Sequence, residues 1–243
     1  MAVKKYLYET HLHTAGVSKC ASATVREQLE HYKSLGYAGV FITNHFIDGN
    51  IRCGWSLPYE EAIEFYFSDY EQAVCLGREI GISVFSGMEI ASNGTEFLVY
   101  GLDKKWFLEH PEYAEMGTAE KLTLLAEAGA LIVHAHPFYE NPRTRQIRLF
   151  PHLVHGAEIY NSHRTEFDND MARHYAESYG LIKLAGTDNH GAARESLLGG
   201  VMSDTPIKDE ADFIKRAKNR ELEPFRLTVN ERRAMLDEVP VGK

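Results

Sequence analysis

Short β-prone, apolar runs recur along this chain, and nearly all of them stop at a histidine or an acid. Tyr6-Leu7-Tyr8 leads to His11 and His13, Ala38–Thr43 to Asn44-His45, and Ile82–Gly87 to Met88-Glu89. Ala130–Val133 runs into His134 and His136, Ala157–Tyr160 carries Glu158 and ends at Asn161, and Leu181–Gly186 leads to Asp188 and His190. Residues two apart in a strand project to the same face. His11 and His13 are therefore placed to aim both imidazoles at one point, as two ligands of one metal ion must.

Helical patterns separate these runs. Thr24–Leu35 repeats Val25, Leu29 and Tyr32 at helical spacing before Gly36. Leu57–Gly81 opens with Pro58, Glu60 and Glu61, residues suited to a helix start. Thr118–Gly129, with Thr118 as its cap, Phe167–Gly180 and Asp209–Asn219 complete the predicted helices. Glu96–Tyr100 is a further strand beside the third, and Leu197–Met202 a last one. Such alternation predicts a mainly parallel sheet. With about seven such strands, a closed or nearly closed barrel is favoured, and barrels carry their sites at the carboxyl ends of the strands.

Composition sets limits on the partners. The 243 residues carry a formal net charge of −9, which argues against a binder of duplex nucleic acid. Cys20, Cys53 and Cys75 are odd in number and share no CxxC spacing, so no disulfide framework is expected. The first residues hold no apolar signal-peptide core, and no run of about 18 apolar residues suggests a membrane span. A cytoplasmic protein with one catalytic domain over residues 1–243 is the expectation, with residues 203–243 completing or capping the barrel.

Imidazoles and carboxylates without clustered thiolates suit Zn, Mn or Fe. His11, His13, His45, His134, His136 and His190, with Glu89 and Asp188, exceed the needs of one four-coordinate ion. Two ions about 3.5–4 Å apart can clamp the oxygens of an in-line displacement, a chemistry suited to phosphate esters.

The ordered motifs resemble those of the PHP (polymerase and histidinol phosphatase) family of metal-dependent phosphoesterases. They are His11-Leu12-His13-Thr14, Thr43-Asn44-His45, Gly87-Met88-Glu89, His136-Pro137, Glu158 to Asn161 and Asp188-Asn189-His190, within a likeness spanning about residues 8–202. The resemblance implies a distorted (β/α)7 TIM-like barrel of PHP type holding two or three divalent ions. It implies that His11, His13, Glu89 and Asp188 hold one ion, and that Glu89 bridges to a second bound by His136 and by His134, unless His134 only orients His136. His45 and His190 would belong to a third ion. A metal-bridging hydroxide held by Glu89 and Asp188 would be the nucleophile, and the substrate a small phosphomonoester such as histidinol phosphate, a nucleotide or a phosphotyrosine peptide.

Three positions depart from the family pattern. Asn44 stands where Asp is usual, Lys19-Cys20 where a further Asp or His is common, and Glu96 near a customary His. Cys20 is thus either a soft ligand favouring zinc or a half-buried thiol, and Glu96 a substitute ligand. Arg143 and Arg194 are preferred over Arg145, Arg148 and Arg164 for holding substrate phosphate, because each follows a metal motif closely. Asn161 is a further candidate for the phosphate, or bonds a neighbouring loop, and His163 is a candidate general acid. The rival readings are an amidohydrolase-type metal hydrolase and a non-catalytic metal-binding regulator.

Overall fold

A computed structural model describes residues 5–140, 142, 145–194 and 196–237. Strands β1 (Tyr6–Glu9), β2 (Gly39–Ile42) and β3 (Ser83–Ser92) run parallel, as do β5 (Leu131–His134), β6 (Gly156–Asn161) and β7 (Ile182–Gly186). Between the two sets lies β4 (Thr95–Tyr100), antiparallel to both neighbours. β8 (Leu197–Ser203) pairs antiparallel with β1, and β9 (Glu223–Thr228) with β8, giving a nine-stranded sheet. The sheet curls until β7 meets the continuation of β1. There Leu12 bridges Asn189, Asp188 N–H donates to the His11 carbonyl at 2.9 Å, and His13 N–H donates to that of Asn189 at 3.0 Å. The result is a distorted, nearly closed barrel.

Helices α1 (Val25–Ser34), α2 (Tyr59–Ile80), α3 (Lys104–Glu109), α4 (Thr118–Glu127) and α5 (Glu166–Tyr179) surround it, followed by α6 (Glu210–Lys218) and α7 (Val229–Asp237). Thr24 and Glu27 close a capping box on α1. α2 stops at Gly81, whose φ of 80° is a conformation that glycine adopts without steric cost. Inside the barrel, Tyr8, Phe41, Phe85, Leu98, Tyr100 and Leu184 belong to one buried cluster. α6 inserts Phe213 into it, 4.3 Å from the Phe41 ring centroid and 5.1 Å from that of Tyr100. Apolar packing thus fills the end of the barrel opposite the histidines. Among the described residues, no helix is long and apolar enough to cross a membrane.

The sheet departs from the mainly parallel expectation because β3 does not stop at Glu89. It continues to Ser92 and turns at Asn93-Gly94, both at positive φ, into β4. Such an Asn-Gly pair favours a two-residue hairpin. Thr118 is the first residue of α4 rather than its cap. Gly117 takes the cap position, its N–H held by Glu120 at 2.8 Å, while the Thr118 hydroxyl bonds Ser92. β9 and α7 lie where no element was expected.

At the upper end of β7, Gly186 packs directly beneath the histidines. A Cβ there would lie 2.5 Å from His11 Cβ and 2.9 Å from Glu158 Oε1. Gly186→Ala is therefore expected to destabilise the fold by about 1–3 kcal/mol, through overpacking. The check is a urea midpoint that falls at unchanged slope; an unmoved midpoint would mean that the strand ends yield freely.

Candidate metal centre

The strand ends converge on one rim of the barrel. His11 and His13 face each other with Nε2 atoms 3.2 Å apart. His13 Nε2 lies 3.1 Å from Asp188 Oδ1 and 3.4 Å from Glu89 Oε2, and His11 Nε2 lies 3.3 Å from Glu89 Oε1 and 3.4 Å from Asp188 Oδ1. On the other side of Glu89, His45 Nδ1 approaches Oε2 at 2.8 Å and His136 Nε2 approaches Oε1 at 3.1 Å. Glu96 closes this side, 3.7 Å from His45 and 3.6 Å from His136. Glu89 is thus shared between two groups of donors, as a bridging carboxylate would be.

The donor set fits metal ions. His11 Nδ1–H donates to Glu158 Oε1 at 2.9 Å and so turns Nε2 to the cluster; burial opposes a charge on this ring, but Asp188, Glu158 and Glu89 overcome it and hold a proton that an ion at Nε2 would displace. Ser18 Oγ–H donates to Asn44 Oδ1 at 2.7 Å, so at 3.0 Å from His13 Nδ1 it accepts, and His13 Nε2 faces the cluster as a lone pair. Fixing a tautomer through the far ring nitrogen is how proteins orient metal-binding imidazoles. His45 Nδ1 and Glu89 Oε2 are buried and 2.8 Å apart, yet neither has a hydrogen-bond partner. Two donors about 2.0–2.1 Å from one ion at a tetrahedral angle are about 3.3 Å apart, close to the separations found here.

Burial and charge act together on the acids and imidazoles. Burial pushes Glu89 up, but His45 and His11 outweigh it and hold its carboxyl well below the usual range. Asp188 behaves alike: burial opposes ionisation, and His11 and His13 overcome it. Burial, then His190 and His45, lowers His13 to about 3, so this ring stays neutral and able to ligate. Backbone geometry is strained at the same place, with φ of 27° at His136 and 58° at Asp188. Positive φ at non-glycine residues costs of order 1–3 kcal/mol and gathers at functional sites.

Of the residues expected in the centre, His11, His13, His45, Glu89, Glu96, His136, Asp188 and His190 are brought together. His134 is not among them. Its ring stacks on Phe97, 5.1 Å between centroids, beside Tyr175, and neither nitrogen has a hydrogen-bond partner. Burial lowers it to about 3. Cys20 Sγ reaches His190 Nε2 at 3.1 Å. Arg194 turns aside to Ser22 Oγ at 3.1 Å, and Arg143 lies outside the described residues. His163 Nδ1 bonds the Thr187 carbonyl at 3.1 Å, and its ring meets His190 edge-on, centroids 5.9 Å apart. Asn161 Nδ2–H donates to Glu158 at 3.0 Å and to Asp188 at 3.3 Å, a brace between two acids.

Two buried acids take part that sequence reasoning left unassigned or undecided. Glu158 accepts from His11 and, at 2.9 Å, from His136 N–H. Glu9 accepts from His11 N–H at 2.8 Å, from Thr187 N–H at 3.0 Å and from Thr187 Oγ1–H at 2.7 Å, and burial pushes it up to about 7. The signal available for Glu9 was an acid two positions before His11. The cation beside the cluster is Arg164, an arginine ranked below Arg143 and Arg194 from the sequence. Its guanidinium lies 3.9 Å from the Tyr139 ring centroid, with one terminal nitrogen 3.4 Å from Asp188 Oδ2.

No protein-family model matches the sequence, and no curated protein matches it. The fold, however, is shared with solved structures. A two-domain protein of Bacteroides vulgatus, described as containing a predicted PHP-like metal-dependent phosphoesterase, aligns over 91% of this chain at TM-score 0.62 and 12% identity. The alignment spans 65% of that protein's length. A Bifidobacterium adolescentis protein, provisionally named a metal-dependent phosphoesterase, aligns over 76% of this chain and 88% of its own at TM-score 0.54 and 16% identity. A Chromobacterium violaceum amidohydrolase aligns over 91% and 98% at TM-score 0.53 and 14% identity. These likenesses show that the distorted, nearly closed barrel is a fold this chain shares with them.

Ions that bind only the folded protein stabilise it, by about 2.7 kcal/mol at a free concentration of 100 Kd. Adding Mn²⁺ or Zn²⁺ to chelator-stripped protein should accordingly raise its melting midpoint. Because imidazoles must shed their protons to ligate, and the neighbouring acids overcome burial to hold those of His11 and His45 well above the usual histidine range, the gain should shrink as pH falls through the region above about 6.5. Asp188→Ala should remove most of it. Calorimetry with and without metal reads all three, and a midpoint indifferent to both ions would refute the site.

Proposed function

We propose that this barrel is a PHP-type metal-dependent phosphoesterase acting on a small phosphomonoester. The observation that carries the reading is a 670 Å³ cavity above the donor cluster, with Arg164 on its wall. Glu89, Glu96, Asp188, His45, His136 and His190 line the same space, and Arg164 is the one Lys or Arg among its described lining residues. An acidic, imidazole-rich floor alone would repel an anionic substrate. It becomes suited to one when divalent ions sit on it and a guanidinium stands beside them.

On this reading His11, His13, Glu89 and Asp188 hold one divalent ion, and Glu89, Glu96 and His136 a second. Bound ions would supply Lewis acidity toward phosphoryl oxygens and neutralise the charge that develops on them. The chain's own residues do the positioning. Arg164 Nε is buried and has no hydrogen-bond partner, so this guanidinium keeps a donor for a phosphate oxygen. Tyr139 stacks on its plane, and Asp188 Oδ2 holds one end, which fixes its direction before substrate arrives. Asp48, also on the cavity wall, is occupied by Tyr113 Oη–H and Lys121 Nζ at 2.8 and 2.9 Å, so it need not contend with the phosphate.

Hydrolysis of an amide or related acyl bond is the second reading, favoured by the likeness to the Chromobacterium violaceum amidohydrolase. Metal-stripped protein given back Mn²⁺ or Zn²⁺ should release phosphate from at least one member of a phosphomonoester panel. Turnover of N-acyl compounds without phosphate release would decide for the second reading. Arg164→Ala should lower kcat/KM for a phosphomonoester roughly 10- to 100-fold, the worth of one charged hydrogen bond, mainly through KM. Asp188→Ala should abolish turnover. An Arg164→Ala enzyme of undiminished kcat/KM would remove the guanidinium from substrate binding.

A further inference from the structure

The edge of the centre nearest solvent differs chemically from the rest. Cys20 Sγ lies 3.1 Å from His190 Nε2, and His45 comes within hydrogen-bonding reach of the same sulfur. His190 Nδ1–H donates to the Asp188 carbonyl at 2.6 Å, which leaves Nε2 as a lone pair toward the sulfur. A thiol has one proton and can satisfy one of two imidazoles that converge on it. His45 is itself 7% exposed and stands between the two groups of donors, its Nδ1 turned to Glu89 Oε2 at 2.8 Å. His13, His45 and His190 place ring nitrogens within 4.8 Å of one another, so a set of nitrogen donors already stands where the sulfur points.

On the far side of His45 the donors are Glu89, Glu96 and His136. Oxygen-rich donor sets suit Mn²⁺, whereas thiolate selects softer ions, zinc foremost among the abundant divalent metals. We infer that Cys20, His45 and His190 form a thiolate-bearing subsite for a thiophilic divalent ion, distinct in metal preference from the carboxylate-rich subsite of Glu89, Glu96 and His136. On binding, the Cys20 thiol releases its proton to solvent and the sulfur becomes an anionic ligand. Three protein ligands leave a coordination position open, and Cys20, His45 and His190 all line the substrate cavity, so that position faces substrate. The inference rests on the reading of the cluster as a metal centre.

Cobalt reports both points separately. Chelator-stripped protein in which Cys53 and Cys75 are replaced by serine is titrated with Co²⁺ and followed by absorption. A near-ultraviolet thiolate-to-cobalt charge-transfer band is expected together with visible cobalt bands. Cys20→Ser should abolish the former and keep the latter from the remaining ions. Cys20→Asp, which restores an anionic ligand without sulfur, should keep the full cobalt count and lack the charge-transfer band. Elemental analysis after loading with mixed zinc and manganese should show one zinc equivalent lost in Cys20→Ser, with manganese retained. Visible cobalt bands without a charge-transfer band would overturn the thiolate subsite while leaving the metal centre standing. No cobalt uptake would overturn both.

Discussion

Much of the centre hangs on one buried carboxylate, that of Glu158. Its Oε1 accepts from His11 Nδ1, and its Oε2 accepts from His136 N–H and Asn161 Nδ2, all at 2.9–3.0 Å. These donors come from the continuation of β1, the turn after β5 and the end of β6, so one side chain draws three strand ends together. An ion taken out of water costs several kcal/mol unless paired and hydrogen-bonded. Glu158 is tolerable inside the barrel only with its donors in place. The same bond that settles its charge fixes the His11 tautomer and points Nε2 at Asp188 and Glu89. Positive φ at His136 is what turns its N–H toward Glu158. A strain of order 1–3 kcal/mol is offset there by a charged hydrogen bond of comparable worth, about 1.5–3 kcal/mol.

The barrel makes this concentration of charge affordable by separating two tasks. Its lower end is packed with aromatic and aliphatic side chains and plugged by Phe213, and no buried charge belongs to that cluster. Its upper rim gathers Glu9, Glu89, Glu158 and Asp188, each at most 4% exposed, among imidazoles. Stability comes mainly from the apolar end, and the rim spends part of it. Removing Glu158 would therefore be felt twice, in the fold and in the aim of His11, whereas removing Arg164 is felt at the cavity wall, by Tyr139 and Asp188 Oδ2.

Much of the rim was legible because its histidines and acids fall at strand ends, and a barrel delivers strand ends to one rim. The reading failed where direction depends on backbone detail. His134 and His136 are two apart, as His11 and His13 are, yet His134 faces Phe97 and Tyr175 while the φ of 27° at His136 swings its ring to Glu89. Arg194 was preferred because it follows a metal motif in sequence, which says nothing about where a long side chain points, and it turns to Ser22. Arg164 faces the cavity because Tyr139 and Asp188 hold it there. The strand β9 was illegible for another reason. It is an edge strand carrying Pro224, with Glu223 and Arg226 exposed, and its stability comes from non-local pairing with β8.

Asn44, where the PHP pattern has aspartate, is explained by its surroundings. Its Oδ1 accepts from Thr14 N–H and Ser18 Oγ–H, both at 2.7 Å, and its Nδ2–H donates to Thr14 Oγ1 at 2.6 Å. Thr14 Oγ1–H is then free to donate to Asp69 Oδ2, also at 2.6 Å, and Asp69 accepts from Val17 N–H as well. The close approach of Asp69 is possible because residue 16 is glycine; a Cβ there would fall 2.1 Å from its Oδ1. An aspartate at 44 would set two carboxylates on either side of one threonine hydroxyl, whose single proton can serve only one of them. The charge that position 44 lacks is present at Asp69 on α2, one hydrogen bond further from the centre. The first loop thus keeps one buried anion, and Ser18 still holds His13 and His45 in place, so the departure changes the route of support rather than its sign.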